Sequence, residues 1–433
     1  MNINNLNNCP CGKEHRVEVK DIFIGKGTIT KLPDILKMSC AKKVFLLADY
    51  NTYTAAGKAV EDILSENSIA YSKYVFSDTA LEPDEKAIDA AISHFDNTCD
   101  TVVAVGSGVI NDIGKILSNT TKSTYIIVAT APSMDGYASA TSSMTMGGLK
   151  VSLPSRCPDY IIGDTEILKN APEKMLKAGI GDMLAKYISI AEWRISHLVT
   201  GEYYCESVAE LVRTALQKCV DNADGLLKRD EKAVEAVFEG LIIGGTAMAY
   251  AGLSRPASGV EHYISHVWDM RGASLGTPVD LHGIQCALGT IIAVKLYEKF
   301  KTITPDKEKA LAYVRGFDYG EWGDELRSFL GNSAQSMIEL EEKEHKYDTE
   351  KHEKRLGCLI ENIAEIHRII DEEIPPLKDI ENLFKKTDLP MTMAEIGLDE
   401  KILPMTFKAT KDIRDKYVLS SMCWDFGILD DII

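Results

Sequence analysis

Four short apolar runs in the first third of the chain constrain its fold more than any other feature: Lys43–Ala48, Tyr71–Phe76, Thr101–Val105 and Tyr125–Val128. Each has the length of a buried strand, and the stretches between them have helical spacing. One such stretch places Ala59, Ile63 and Leu64 on a common face, and another runs from Ala87 to Phe95. Strands alternating with helices of this length predict a mostly parallel sheet covered on both faces. After about Pro172 the pattern changes. Helical periodicity dominates to the end, as in Ser207–Leu227 and Glu231–Ala251, with no strand series. At 433 residues the chain exceeds what one hydrophobic core serves. The expected architecture is therefore an α/β domain with a parallel, Rossmann-like sheet over 1–171 and an all-α domain over 172–433.

Composition removes several classes of function. A formal net charge of −17 argues against a general nucleic-acid or anionic-membrane binder, which would need a basic face. An anionic small molecule is still admissible, because a few local cations can reverse the field inside one cleft. The N-terminus is polar and has no apolar core of a secretory signal. The apolar run Leu241–Leu253 is too short to insert in a bilayer. Ten scattered cysteines fit reduced thiols in a cytoplasmic protein better than a disulfide framework. The charged run Glu339–Arg355 reads as a solvated helix or linker, with His345 and His352 on the surface.

Ligands of parallel α/β sheets bind outside the carboxyl ends of the strands. Asp49, the loop Gly106-Ser107-Gly108, and Thr130-Ala131-Pro132-Ser133-Met134-Asp135 all fall at such ends. Gly106 and Gly108 allow a ligand close to the backbone, and the helix that follows presents N–H groups and a positive dipole end suited to a pyrophosphate. Glycine also makes plain strand-to-helix turns, and this loop is not the full Gly-x-Gly-x-x-Gly fingerprint of a first strand. Asp49 ends the first clear strand, where an acidic side chain can bond a ribose hydroxyl.

Three of the nine histidines, His262, His266 and His282, lie in one short stretch. His262 and His266 are four apart and share a helix face. His282 follows a break containing Gly272, Gly276 and Pro278, so two helices meeting head-on could aim His262 and His282 at one point. The spacing leaves open both a metal site and a pair of surface histidines with one packed under a helix. Asp182, in Gly179-Ile-Gly-Asp182, reads either as a helix N-cap or first-turn residue, or as a third ligand. Cys9-Pro-Cys11-Gly-Lys-Glu-His15 could supply three soft ligands. Cys-x-Cys is cramped for a tetrahedral site, no fourth ligand is evident, and a flexible or strand-leading N-terminus is the preferred reading.

Taken together, these motifs resemble the sn-glycerol-1-phosphate dehydrogenases, the bacterial branch most closely. They belong to a superfamily with iron-type alcohol dehydrogenases, glycerol dehydrogenase and dehydroquinate synthase. The resemblance rests on Val105–Lys115, Thr130–Ser139, Gly181-Asp182, Arg255–His262 and His282-Gly283, in that order. It implies a dehydroquinate synthase-like fold, a homodimer, and NAD(H) or NADP(H) as hydride carrier. It also implies one divalent metal ion, zinc or nickel, on Asp182, His262 and His282. Gly108, Val109, Ile110, Asn111, Asp112, Thr130, Ala131, Pro132, Ser133 and Ser139 would surround the dinucleotide. Asp135 and His266 would contact the substrate as catalytic residues, and Asp182 would lie beside it.

The implied reaction interconverts dihydroxyacetone phosphate and sn-glycerol 1-phosphate, feeding glycerophospholipid-type synthesis. Lys186 stands where iron-type relatives carry a histidine ligand, which points to three protein ligands and not four. Lys186, Arg255 and the helix start near Ser258 are candidates for the substrate phosphate, with structural salt bridges as the alternative. Two other activities compete: a glycerol dehydrogenase for unphosphorylated polyols, and a dehydroquinate synthase-like lyase. The lyase would need a cluster of Lys, Arg and Asn that the sequence does not offer.

Overall fold

The computed structural model describes residue 6 and residues 8–146 and 149–433. The chain forms two compact units that interleave along the sequence. Unit 1 comprises Met1–Met183 and Glu210–Leu253, and unit 2 comprises Leu184–Ala209 and Ser254–Ile433.

Unit 1 is built on a six-stranded sheet. Its strands are β1 (Asp21–Gly25), β2 (Lys43–Asp49), β3 (Ala70–Phe76), β4 (Thr101–Gly106), β5 (Thr124–Ala129) and β8 (Tyr160–Asp164), in the order β1-β8-β5-β4-β2-β3 and all parallel. A separate antiparallel hairpin, β6 (Thr141–Met146) and β7 (Leu149–Pro154), stands between β5 and β8 in sequence. The helices used below are α1 (Lys58–Glu66), α2 (Glu85–His94), α3 (Gly108–Thr121), α4 (Glu173–Leu184), α5 (Lys186–Thr200), α6 (Glu206–Asp221), α7 (Glu231–Ala251), α8 (Val260–Leu275), α9 (His282–Phe300), α10 (Ala334–Glu344), α11 (Thr349–Glu361) and α12 (Leu419–Asp425).

The central strands are apolar without alternation because both of their faces are covered. Val44, Leu46, Ala48, Val103, Val105, Ile126, Val128 and Ile162 join one core with Leu32 and Ile35. Phe45, Leu47, Ala104, Ile127 and Ile161 are equally buried on the other face. The α1 face differs from expectation. Val60 and Leu64, four apart, are fully buried, whereas Ala59 is exposed. The larger apolar residue takes the core position.

The division of the chain also differs from contiguous domains 1–171 and 172–433. The chain stays in unit 1 through most of α4, and it returns to unit 1 along α6 for all of α7, where these helices find partners for their apolar faces. Gly179 of α4 leaves room for the Pro132 carbonyl; a Cβ there would sit 1.8 Å from that oxygen. Along α7, Gly245 lies against the Asp135 carbonyl and Phe238 fills the space that a side chain at Gly163 of β8 would need. By length and composition α7 could cross a membrane, yet most of it is buried, as in a core helix.

Unit 2 is helical. The charged run breaks at His345, whose φ of 53° ends α10, and resumes in α11. His345 is exposed as expected, but His352 is fully buried, with Nε2 against the Asp425 carbonyl at 2.9 Å. His352, Leu356 and Leu359 form the inner stripe of α11, and the charges around them cover its outer faces.

A Cβ at Gly163 would stand 2.2 Å from the Phe238 ring, which is itself held edge-on against Tyr137. Gly163→Ala should therefore destabilise the protein by about 1–3 kcal/mol through overpacking. Thermal or urea unfolding reads this directly, and an unchanged midpoint would show that Phe238 can move aside at no cost.

Candidate active site

In unit 2 the three clustered histidines sit where α8 and α9 pack together. The helices do not meet head-on. Gly272 lets Val279 lie against α8, so the connecting segment doubles back and delivers His282, the first residue of α9, beside α8. The His262 and His282 rings are 5.0 Å apart, and His266 stacks on His282 at 5.9 Å. Gln285 fixes this arrangement. Its Nε2 donates to the Ser265 hydroxyl (3.0 Å) and to Asp269 Oδ1 (2.8 Å), while its Oε1 accepts from the Asp280 N–H. Gly289 closes the helix crossing, since a Cβ there would be 2.4 Å from the Glu261 carbonyl.

His262 is buried and oriented from behind. Its Nδ1–H donates to Glu261 Oε1 at 2.8 Å, which leaves Nε2 as the lone-pair nitrogen. A carboxylate behind an imidazole is the usual support of a metal-ligating histidine. One ligand atom each of His262, His282 and Cys286 lies within 4.8 Å of the others. Burial pushes the Cys286 thiol up, but His262 and His282 outweigh it and bring it below its ordinary value. Two imidazoles and a thiol are borderline-soft donors that suit zinc or nickel.

Behind Glu261 stands a second buried carboxylate, Glu192 of α5. It accepts from the N–H groups of Val260 and Leu419, both at 2.9 Å, and from the Tyr297 hydroxyl at 3.1 Å. Burial first, and Glu261 next to it, push Glu192 far above the usual carboxylate range. Sequence reasoning gave no role to Glu261, Glu192 or Cys286. The Glu-His pair was the only available signal for Glu261, and nothing local marked the other two.

Two candidates for the substrate phosphate have structural partners. Arg255 is buried, and it donates through Nε to Glu202, through one terminal nitrogen to the Tyr417 carbonyl (2.9 Å), and through the other to Ser196 (3.0 Å) and Glu202. Lys186 is fully buried, with Nζ 3.1 Å from the Ala257 carbonyl. A break at Ala185 separates it from α4, so it opens α5 and does not continue the helix of Asp182.

In unit 1, β2 and β4 are neighbours whose chain continuations leave to opposite sides of the sheet, β2 toward β3 and β4 toward β5. This is the switch point at which such sheets bind ligands. Asp49 and Gly106 end those two strands. Asp49 caps the next helical turn, accepting from the Thr52 N–H at 2.9 Å, so one of its oxygens already has a structural partner. Gly106 is required sterically, because a Cβ would meet Ile110 at 2.4 Å. A Cβ at Gly108 would reach Met134 only at 3.4 Å, an ordinary contact, so packing does not demand glycine there. The α3 ladder begins with the Asn111 N–H bonded to the Ser107 carbonyl, which leaves those of Gly108, Val109 and Ile110 outside it.

Polar side chains of this loop are tied to the protein. Asn111 donates to the Gly136 carbonyl, Asp112 accepts from the Ser143 N–H, and Ser139 Oγ lies 3.0 Å from the carbonyls of Gly136 and Thr141. Lys115, fully buried, gathers the Gly136 and Thr141 carbonyls and the Ser139 hydroxyl. Thr130 is fixed by its N–H to the Gly106 carbonyl, Ala131 by its carbonyl to the Tyr137 hydroxyl, and Pro132 and Ser133 complete this buried turn.

Asp182 is not at a helix start. It lies in the last turn of α4, fully buried, where the helix dipole disfavours a carboxylate. Its Oδ2 accepts from the Asp135 N–H at 2.9 Å.

The chain has the fold of the iron-containing alcohol dehydrogenases, whose family matches residues 23–172. The iron-containing alcohol dehydrogenase of Thermococcus thioreducens superposes with a TM-score of 0.60 at 15% identity, covering 96% of this chain and 95% of that one. The glycerol-1-phosphate dehydrogenase [NAD(P)+] of Bacillus licheniformis is 33% identical over 99% of this chain and 94% of its own length. That of Halalkalibacterium halodurans is 27% identical over 95% of this chain and 94% of its own. The chain belongs to the glycerol-1-phosphate dehydrogenase family.

Glu261→Gln retains size but removes the charge behind His262. Loss of such a supporting carboxylate should weaken divalent-metal affinity about 10–100-fold in a competition titration with a chromophoric chelator. An affinity equal to wild type would detach Glu261 from metal binding.

Proposed function

We propose that the chain interconverts dihydroxyacetone phosphate and sn-glycerol 1-phosphate by hydride transfer with NAD(P)H. The observation that carries this reading is the pairing of buried His262 with half-buried His282, with Glu261 locking His262, in a member of this family. Asp182 is the proposed third ligand of one divalent ion, zinc or nickel. A buried carboxylate at the C-terminal end of a helix calls for a compensating positive charge, which supports the assignment. When bound, the ion supplies Lewis acidity that stabilises negative charge on the substrate's C2 oxygen as hydride is transferred.

This chain's own residues do the rest. The N–H groups of Gly108, Val109 and Ile110 at the head of α3 hold the pyrophosphate, and Gly106 lets the turn form. The buried Thr130–Ser133 turn, followed by the 136–143 segment that Asn111, Asp112 and Ser139 brace, shapes the nicotinamide side. The second oxygen of Asp49 accepts from the adenosine ribose, which favours NAD(H) over NADP(H). His266, on the His262 face and stacked on His282, relays a proton to the substrate oxygen. Asp135 accepts from a substrate hydroxyl, its backbone fixed by Asp182. We place the enzyme in the cytoplasm, a reading supported by ten cysteines that are all thiols. A homodimer serving glycerophospholipid-type synthesis completes the proposal.

The test is NADH or NADPH consumption by the metal-loaded enzyme with dihydroxyacetone phosphate. Turnover should be found, with unphosphorylated dihydroxyacetone far poorer. Equal rates on the two would make it a polyol dehydrogenase, and elimination without net cofactor turnover would make it a lyase. Asp182→Asn should cost about 10²–10³-fold in kcat/KM, corresponding to several kcal/mol of lost charge stabilisation, with circular dichroism unchanged. A wild-type rate would refute the ligand assignment.

A further inference from the structure

The donors of the Cys9–His15 segment converge. One ligand atom each of Cys9, Cys11 and His15 lies within 4.8 Å of the others, and Cys11 Sγ is 3.2 Å from His15 Nε2. Around a tetrahedral zinc, sulfur and nitrogen ligands stand about 3.3–3.8 Å apart, given Zn–S near 2.3 Å and Zn–N near 2.0 Å. The Cys-x-Cys spacing that looks cramped in sequence is opened by a turn. The Gly12 N–H bonds to the Cys9 carbonyl at 3.1 Å, Pro10 occupies the second position of this turn, and Gly12 takes a φ of 78°. The Lys13 N–H then points at Cys11 Sγ from 3.4 Å, an N–H···S contact that suits a sulfur carrying negative charge.

His15 gives the second, independent observation. It is buried, and its Nδ1 is 3.0 Å from the Tyr250 carbonyl. A carbonyl only accepts, so Nδ1 carries the proton and the lone pair of Nε2 faces the two sulfurs. Tyr250 is in the last turn of α7, where carbonyls lack helical partners, and its ring packs at 5.6 Å on the imidazole. A backbone carbonyl behind the remote nitrogen is how a ligating imidazole is oriented.

We propose that Cys9, Cys11 and His15 bind a structural zinc ion, with a further thiolate or a water in the fourth position. Two thiolates and an imidazole select zinc over magnesium, calcium or manganese. Binding releases the two thiol protons and involves no oxidant. Its consequence is mechanical: the leader of edge strand β1 is bolted to the end of α7, the helix that covers the sheet, in unit 1. None of these residues takes part in the proposed reaction, so this site and the dehydrogenase reading stand or fall separately.

The wild-type protein, purified with zinc, tests this by alkylation with and without a chelator, read by peptide mass spectrometry. Cys9 and Cys11 should resist labelling until the chelator is added and then react. Exposed Cys40 should react throughout, and buried Cys219 and Cys423 should stay protected. Equal labelling of Cys9 and Cys11 in both conditions, or a Cys9–Cys11 disulfide, would overturn the proposal. In the full chain, Cys9→Ser/Cys11→Ser should lose one zinc per chain by elemental analysis, and cobalt-loaded protein should lose the two-thiolate part of its charge-transfer band. Cys286→Ser should retain that part. A variant with wild-type zinc content would also overturn it.

Discussion

Two carboxylates buried side by side in unit 2, Glu192 and Glu261, set the terms for everything around them. A Cβ on Gly259 would lie 2.6 Å from Glu192 Oε2 and 2.7 Å from Glu261 Oε2, so only glycine admits both at the start of α8. Two such groups cannot both be charged and unpaired in a dry interior. Burial, and Glu261 beside it, push Glu192 toward its neutral form, and it takes the Val260 and Leu419 N–H groups. Glu261 meets that constraint by taking the Gly259 N–H at 2.8 Å and the His262 imidazole. Its second oxygen has no hydrogen-bond partner among the described residues. Positive charge arriving through His262, as a cation on Nε2 would bring, lowers the cost of that oxygen.

Unit 1 treats its glycine loop differently. Here a buried cation, Lys115, is surrounded by oxygens, two carbonyls and a hydroxyl, with Asp112 Oδ1 at 3.6 Å. The ammonium holds the 3-10 turn at Asp135–Ala138 against α3, and burial lowers its pKa without removing its partners. Asn111, Asp112 and Ser139 belong to the same network. Their polar groups bond within this frame, and the start of α3 offers backbone N–H groups at the switch point.

The central strands were legible because burial on both faces leaves an unbroken apolar run, as in Thr101–Val105. The edge strand β1 and the late strand β8 were not. Asp21–Gly25 follows charged residues, and Tyr160–Asp164 contains a glycine whose reason, Phe238, lies seventy-five residues on. His262, His266 and His282 were visible through their scarcity and spacing. Glu192 was invisible because its partners come from α8, α9 and the start of α12. His352 was misplaced because charge density masked the buried stripe it shares with Leu356 and Leu359. Asp182 was read as a helix start from its glycines, yet Gly179 serves the approach of Pro132 inside α4.

Arg255 shows why motif residues need not be ligand contacts. Its guanidinium spends Nε and both terminal nitrogens on Glu202, Ser196 and the Tyr417 carbonyl, joining the end of α5 to the segment before α12. A phosphate would have to displace a carboxylate already engaged from two sides, at the cost of leaving that carboxylate in a partly dry setting. The strut instead fixes the turn Arg255–Gly259, which in turn places Glu261 behind His262. Lys186 acts on the same turn through the Ala257 carbonyl, and Lys416 through the Ser258 carbonyl at 3.0 Å. Three basic side chains therefore converge on the five residues that precede α8. They act on the proposed chemistry by holding the backbone that aims one imidazole.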